Sequence, residues 1–315
     1  MNKKRFLYLI PNEKKFYKTR NERFIINALK EYGNEIIEIK KFYVLNLIRH
    51  YFISKPDGVI FNSLKIGNKC ERIFKQKRFK IPKFWWYFDS ATFGNRYKKV
   101  INLAKQTDLF FNKEKKEFET YINEKINPIW IDQGAPAICK YTKNSHYKYD
   151  LGFFGSASKI HSERTSLLKR LDNKYNLIIY SKDYHKFKKN GFKNCLPPID
   201  QSNLSKKVSE IKITLCFNSL ATSPFCWSDR VHLMLGSGAF TFVEYVDGIS
   251  NFYKDHKDCI FFNDSNDLLK KINLWINSES KDKIRKEGFK TAHSKNSYKV
   301  KVKEFLQHLE HYYES

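Results

Sequence analysis

Glycine and proline are scarce in this chain, 12 and 8 among 315 residues. Such sparing use of the two strongest backbone punctuators excludes collagen-like, linker-like and other low-complexity architectures. The six cysteines (Cys70, Cys139, Cys195, Cys216, Cys226 and Cys259) include no C-x-x-C pair and no spacing that suits zinc. They read as reduced, mostly buried thiols rather than as metal ligands or a disulfide framework. No apolar run approaches the ~20 residues of a membrane span. The amino-terminal stretch Met1–Ile10 has a basic start, but its apolar run ends at Pro11, too soon for a signal peptide. These absences give the expectation of a cytoplasmic protein, with peripheral contact at the inner face of a membrane left open.

Acid is also in deficit, with 33 Asp and Glu against 59 Lys and Arg and a net charge of +26. The imbalance is uneven: residues 1–150 hold 32 basic against 15 acidic residues, whereas residues 151–315 hold 27 against 18. Heavy use of Asn, Lys, Ile, Phe and Tyr also fits AT-rich coding, so part of the lysine excess needs no partner. The basic first half nonetheless suits an anionic partner, such as nucleic acid, an acidic glycan or a phospholipid surface, through a field that salt screens. Hydrophobic content of 41% and aromatic content of 16% allow a large core, and the length suggests two domains.

Along the chain, strand signals at 5–10, 35–39, 58–61, 83–88, 109–111 and 128–131 surround a helical period over 21–32, the pattern of a parallel sheet with crossover helices. Residues 138–149 are polar and weakly patterned and read as an interdomain linker. A second strand-helix series follows, with strands at 149–154, 176–180 and 211–217 and helices at 163–171, 266–276, 281–292 and 298–313. The fold class is therefore α/β. The expected domains are 1–140, 141–295 and a closing helix at 296–315.

Several stretches carry chemistry. Cys226–Phe262 packs a helix beginning at Arg230, a turn at Gly236–Gly238, a strand, and an acidic turn from Glu244 to Gly248. Polar groups that follow a strand abruptly stand where open α/β sheets bind ligands. Gly155-Ser156 closes another strand, and a glycine there lets backbone N–H groups approach a phosphate, with Ser156 or Arg164 adding side-chain contacts. In the first half, Trp85-Trp86-Tyr87-Phe88-Asp89 ends an aromatic strand on a carboxylate. Asp89, desolvated by the tryptophans, is expected to act as a general base with a raised pKa; the alternative is a cap for a helix starting near Thr92. Lys41–Ile53 reads as a core helix with a polar edge or as a helix dipping one face into a membrane interface. The cationic run Lys75–Lys80 is a solvated loop or a phosphate contact.

Gly152-Phe-Phe-Gly-Ser156 with Arg164 and Leu168, the strand Thr214–Asn218, Ser228-x-Arg230, Gly238-Ala-Phe, Gly248-Ile-x-x-Phe252, Asp267-Leu-Leu and Gly288 together resemble the carboxyl-terminal half of CgeB-like glycosyltransferases, which are similar to the wider GT-B group. The resemblance covers about residues 128–310; the first domain matches in pattern and in Gln133-Gly134. It implies two Rossmann-like domains facing each other across a cleft, a metal-independent hexosyl- or pentosyltransferase, and no cofactor beyond a nucleotide-sugar donor substrate. The second domain would bind that donor through Gly155, Ser156, Arg164, Tyr180, Ser228, Arg230, Gly238, Glu244 and Gly248. The first would bind the acceptor, which the basic first half suggests is anionic: a surface glycan, a lipid-linked intermediate or modified DNA. Asp89 would serve as base if the reaction inverts the anomeric carbon and would only orient the acceptor if it retains configuration, while Arg230 would stabilise the leaving diphosphate. The sequence departs from the family at Leu233, where a glutamate usually stands to hold the ribose; Glu244 is the best replacement, with His232 and Asp229 as neighbours. A non-catalytic nucleic-acid-binding protein on a transferase-like scaffold is the alternative.

Overall fold

A computed structural model describes residues 3–11, 21–92, 95–143, 146–156, 162–218 and 223–315. The chain divides into two compact units, residues 1–133 with 298–315, and residues 134–297.

In the first unit, β1 (Arg5–Leu9), β2 (Glu35–Ile39), β3 (Gly58–Phe61), β4 (Lys83–Tyr87), β5 (Leu109–Asn112) and β6 (Pro128–Trp130) form one sheet in the order β2-β1-β3-β4-β5-β6. Every pairing in it is parallel. Its strands are near-continuous apolar runs because crossover helices cover both faces. The helices are α1 (Asn21–Glu31), α2 (Tyr43–Ile53), α3 (Leu64–Phe74), α4 (Tyr97–Ala104) and α5 (Phe118–Asn123).

In the second unit, β7 (Tyr149–Phe154), β8 (Leu177–Tyr180), β9 (Asn194–Leu196), β10 (Ile211–Cys216), β11 (Thr241–Glu244) and β12 (Ile260–Phe262) run in the order β12-β11-β10-β7-β8-β9. Counted from β7, that is 3-2-1-4-5-6 read from the other edge, the dinucleotide-fold order. Its helices are α6 (Ser162–Lys174), α7 (Tyr184–Lys189), α8 (Gln201–Val208), α9 (Arg230–Gly236), α10 (Ser265–Trp275) and α11 (Lys281–Lys295).

The last helix, α12 (Tyr298–Glu314), completes the first unit rather than standing apart. Its apolar face explains why: Phe305 stacks on Trp86 with centroids 5.4 Å apart, and Tyr298 stacks on Phe24 at 5.6 Å. The expected linker is likewise packed rather than free. Cys139 is buried, the Arg285 guanidinium lies 5.4 Å from the Tyr141 ring, and Arg285 donates to the Thr142 carbonyl at 3.1 Å. Polar composition misled there because an arginine from α11 satisfies the segment's backbone. All six cysteines are buried, and burial pushes the thiols of Cys70 and Cys216 up to about 12.

Candidate functional site

The strand order of the second sheet selects its ligand-binding edge. From β7 the chain crosses to β8 on one side, and after β9 it returns to β10 on the other, so loops leaving the carboxyl ends of β7 and β10 diverge and open a crevice. β7 ends at Phe154 and runs into Gly155, where a Cβ would lie 2.4 Å from the Phe153 ring, so glycine is required for the close approach. The Gly155 N–H donates to the Tyr180 carbonyl at 3.1 Å, and the Ser156 carbonyl accepts from Arg164 at 2.9 Å. Arg164, in the first turn of α6, thereby folds back over the β7 end, with its guanidinium 5.1 Å from the Phe153 ring. Its Nε is buried with no hydrogen-bond partner among the described residues.

Asn218, just beyond β10, joins the other side of the crevice. Its N–H donates to a Glu244 carboxylate oxygen at 2.7 Å and its side-chain amide donates to the Glu244 carbonyl at 2.6 Å. Its side-chain oxygen accepts from the Ser228 N–H at 2.8 Å. Ser228 then accepts from the Arg230 guanidinium at 2.9 Å. One asparagine thus links the end of β11 to the start of α9 and fixes Glu244 and Arg230 together. In the sequence Asn218 stands out only as the end of a strand; its bonds span ten and twenty-six residues, which no local pattern reveals.

Electrostatics confirm that these groups share one environment. The Arg164 guanidinium is pushed down to about 10, first by burial and then by the Arg230 charge, with Glu244 opposing. Glu244 is raised from its ordinary value of 4.5 by burial, opposed by the Asn218 N–H and by Arg164. The Arg230 charge thus acts on Arg164 as repulsion beside a single half-buried carboxylate, and a bound anion would relieve it. Among the described residues no cluster of three or more His, Cys, Asp or Glu side chains is placed to hold a metal ion.

The remaining expected residues separate. Gly248 lies in the loop after β11 with φ +92°, where a Cβ would stand 2.7 Å from the Phe225 ring, on the same edge of the sheet. Tyr180 closes β8 with its ring buried and stacked on Phe154 at 5.1 Å, and burial pushes its hydroxyl up to about 12; it forms the floor beside the crevice. Gly238 corrects the expectation. It follows α9 with φ +76°, precedes β11, and gives its carbonyl to Arg285 at 2.8 Å, so it caps a helix at the opposite edge of the sheet. His232 is fully buried between Trp227 (3.2 Å) and the Tyr253 hydroxyl (2.7 Å), which removes it as a ribose ligand. Asp229 is exposed.

Asp89 also corrects its expectation. Its side chain is 68% exposed and pairs with Arg96 at 3.4 Å, so the tryptophans do not bury it. The tryptophans point into the core instead: Trp85 stacks on Phe61 and Trp86 on Phe305. The capping alternative fails as well, because α4 starts at Tyr97; Phe93 and Gly94 lie outside the described residues. A buried carboxylate of this region is Glu117, which no sequence pattern signalled. It accepts from the Ala91 N–H (2.9 Å), the Thr92 N–H (3.1 Å), the hydroxyls of Thr92 (2.9 Å) and Tyr121 (2.8 Å), and the Ser90 hydroxyl. Glu117 therefore shapes the loop that carries Asp89 out of β4.

Comparison with known proteins fits this geometry. Residues 164–307 match the family model described as glycosyl transferase-like, a span that begins at Arg164 and contains Asn218, Ser228, Arg230 and Glu244. No curated protein matches the sequence. Among solved structures, the chain is similar to an α-glucosyltransferase in complex with UDP-glucose and DNA containing an abasic site (TM-score 0.71, 12% identity, 98% of this chain and 99% of that one). It is similar to Anabaena HepE in complex with UDP and glucose (0.69, 11%, 98% and 99%) and to sucrose-phosphate synthase from Thermosynechococcus elongatus (0.71, 9%, 99% and 99%). The chain has the GT-B fold of glycosyltransferases.

Proposed function

We propose that this protein is a glycosyltransferase that takes its sugar from a uridine diphosphate donor. The observation that carries the reading is the meeting of Arg164 and Arg230 at the β7/β10 crevice, held by the Ser156 carbonyl and the Ser228 hydroxyl. UDP and UDP-glucose in solved structures of the same fold support the donor class.

In the reaction an acceptor hydroxyl oxygen attacks the anomeric carbon, the bond from that carbon to the diphosphate breaks, and the acceptor proton passes to a base. The nucleoside diphosphate leaves with an added negative charge. Arg164 and Arg230 meet that charge, and because both are already oriented they stabilise the transition state without reorganising. Glu244, whose carboxylate accepts two hydroxyl hydrogen bonds, takes the ribose diol in place of the glutamate absent at Leu233. Diphosphate neutralisation by arginine gives a metal-independent reaction, one that a chelator leaves unchanged.

The acceptor belongs to the first unit, whose positive charge favours an anionic molecule. Asp89, exposed at the carboxyl end of β4, orients an acceptor rather than acting as a base tuned by burial. The test is release of free nucleoside diphosphate from a panel of UDP-, GDP- and CMP-sugars in the presence of hydroxyl acceptors. Release from UDP-sugars supports the reading. No release and no nucleotide binding, with salt-sensitive binding to oligonucleotides, would return the non-catalytic nucleic-acid-binding alternative.

A further inference from the structure

Nine large hydrophobic side chains are exposed among the described residues, and five of them, Phe42, Leu45, Ile48, Phe52 and Ile53, belong to α2 or the residue before it. The helix is apolar on two sides. Its inner side is held to the sheet: Tyr43 donates to the Ile10 carbonyl at 2.8 Å, Leu47 is fully buried, and the Tyr51 ring packs 5.1 Å from Phe79. Among the described residues no neighbour covers its outer stripe. Phe42 is placed at the head of that stripe by a left-handed backbone (φ 47°, ψ 46°), a conformation that costs a bulky residue energy.

Cations rim the stripe at both ends. A pocket of about 640 Å³ adjoins the amino end of α2, lined by Lys40, Lys41, Lys65 and Lys69 with Tyr43 and Ser63 and, among the described residues, by no carboxylate. Lys40 also pairs with Glu38 at 3.3 Å, and Lys69 lies 5.7 Å from the Tyr43 ring. At the carboxyl end, Tyr51 donates to the Arg78 carbonyl at 3.3 Å, which brings the exposed run of Lys77, Arg78 and Lys80 beside Phe52 and Ile53.

We propose that this face docks on an anionic phospholipid bilayer, with α2 lying in the interface plane and the lysine-lined pocket taking phosphate headgroups. Charge complementarity selects an anionic partner, and the side chains select among anions. Leu45, Ile48 and Ile53 gain nothing from a sugar-phosphate backbone and cannot stack on bases, whereas acyl chains bury them. A two-signal surface, apolar insertion plus basic attraction, is what stable but reversible membrane attachment requires. The attachment is independent of the transfer reaction and of its donor.

The test is co-sedimentation of the full chain with vesicles of phosphatidylcholine alone and of phosphatidylcholine mixed equally with phosphatidylglycerol. The chain is expected to sediment with the anionic vesicles only. The pair Leu45→Ser and Phe52→Ser weakens that binding at least about ten-fold, and Lys41→Gln or Lys65→Gln weakens it about five-fold each. All four positions are exposed, so the variants keep the wild-type unfolding temperature, measured alongside. Wild-type chain left in the supernatant of anionic vesicles would overturn the proposal. So would binding that the Leu45/Phe52 pair leaves unchanged while a single-stranded oligonucleotide displaces the vesicles, the behaviour of a nucleic-acid surface.

Discussion

Replacing Arg230 with alanine separates a diphosphate ligand from a helix brace, because the two roles move stability in different directions. Arg230 makes its side-chain bond to a neutral serine hydroxyl, and its charge acts on Arg164 as repulsion. Removing it costs one hydrogen bond to Ser228, about 1 kcal/mol, and relieves a like-charge contact of similar order. Unfolding free energy without ligand therefore stays within about 0.5 kcal/mol of wild type. The donor loses charge-assisted bonds to an anion, about 1.5–3 kcal/mol, a roughly 10- to 150-fold weaker Kd for a UDP-sugar. Denaturant titration and calorimetry with the donor read the two quantities. A variant destabilised by several kcal/mol, or one with unchanged donor affinity, refutes the assignment.

Glu244 gives the pH dependence. Burial raises its pKa above 4.5, so the folded state binds its proton more readily than the unfolded chain, and this group's contribution to stability is fully present below the unfolded value and is lost as pH rises through the folded one. Donor binding runs the other way: affinity for a UDP-sugar falls as pH drops through the raised pKa, and Glu244→Gln flattens that dependence in a binding titration. Asp89→Asn lowers kcat by less than the ~100-fold expected of a general base, since the side chain is exposed and paired with Arg96; a larger drop in steady-state assays restores the base role. Gly238→Ala lowers the unfolding temperature, because φ +76° disfavours alanine and its Cβ would stand 2.9 Å from the Tyr141 ring. Its KM for donor is unchanged if Gly238 is only a helix cap.

The alternation of strand and helix was legible because buried parallel strands appear as short apolar runs, and β2, β3 and the start of β7 fall where those runs stand. Strand order was not, since β10 returns beside β7 through contacts more than fifty residues apart. The site shows the same division. Gly155, Arg164 and Arg230 were readable as turn and helix-start residues. Asn218 and Glu117 were not, because each acts through bonds to segments ten to twenty-seven residues away. Gly238 misled through sequence proximity to Arg230: the seven residues of α9 carry the chain about 10 Å back toward the other edge of the sheet. Asp89 misled because adjacency to two tryptophans in sequence is not adjacency in space; successive strand residues point to opposite faces.

The central claim is that the β7/β10 crevice binds the diphosphate of a nucleotide donor through Arg164 and Arg230. Calorimetric titration of the wild-type chain with UDP and with uridine tests it most directly. The account predicts that UDP binds at least about 100-fold more tightly than uridine, and that Arg164→Ala with Arg230→Ala abolishes the difference. Equal affinity for the two ligands, or a preference for UDP that survives the double substitution, would contradict it.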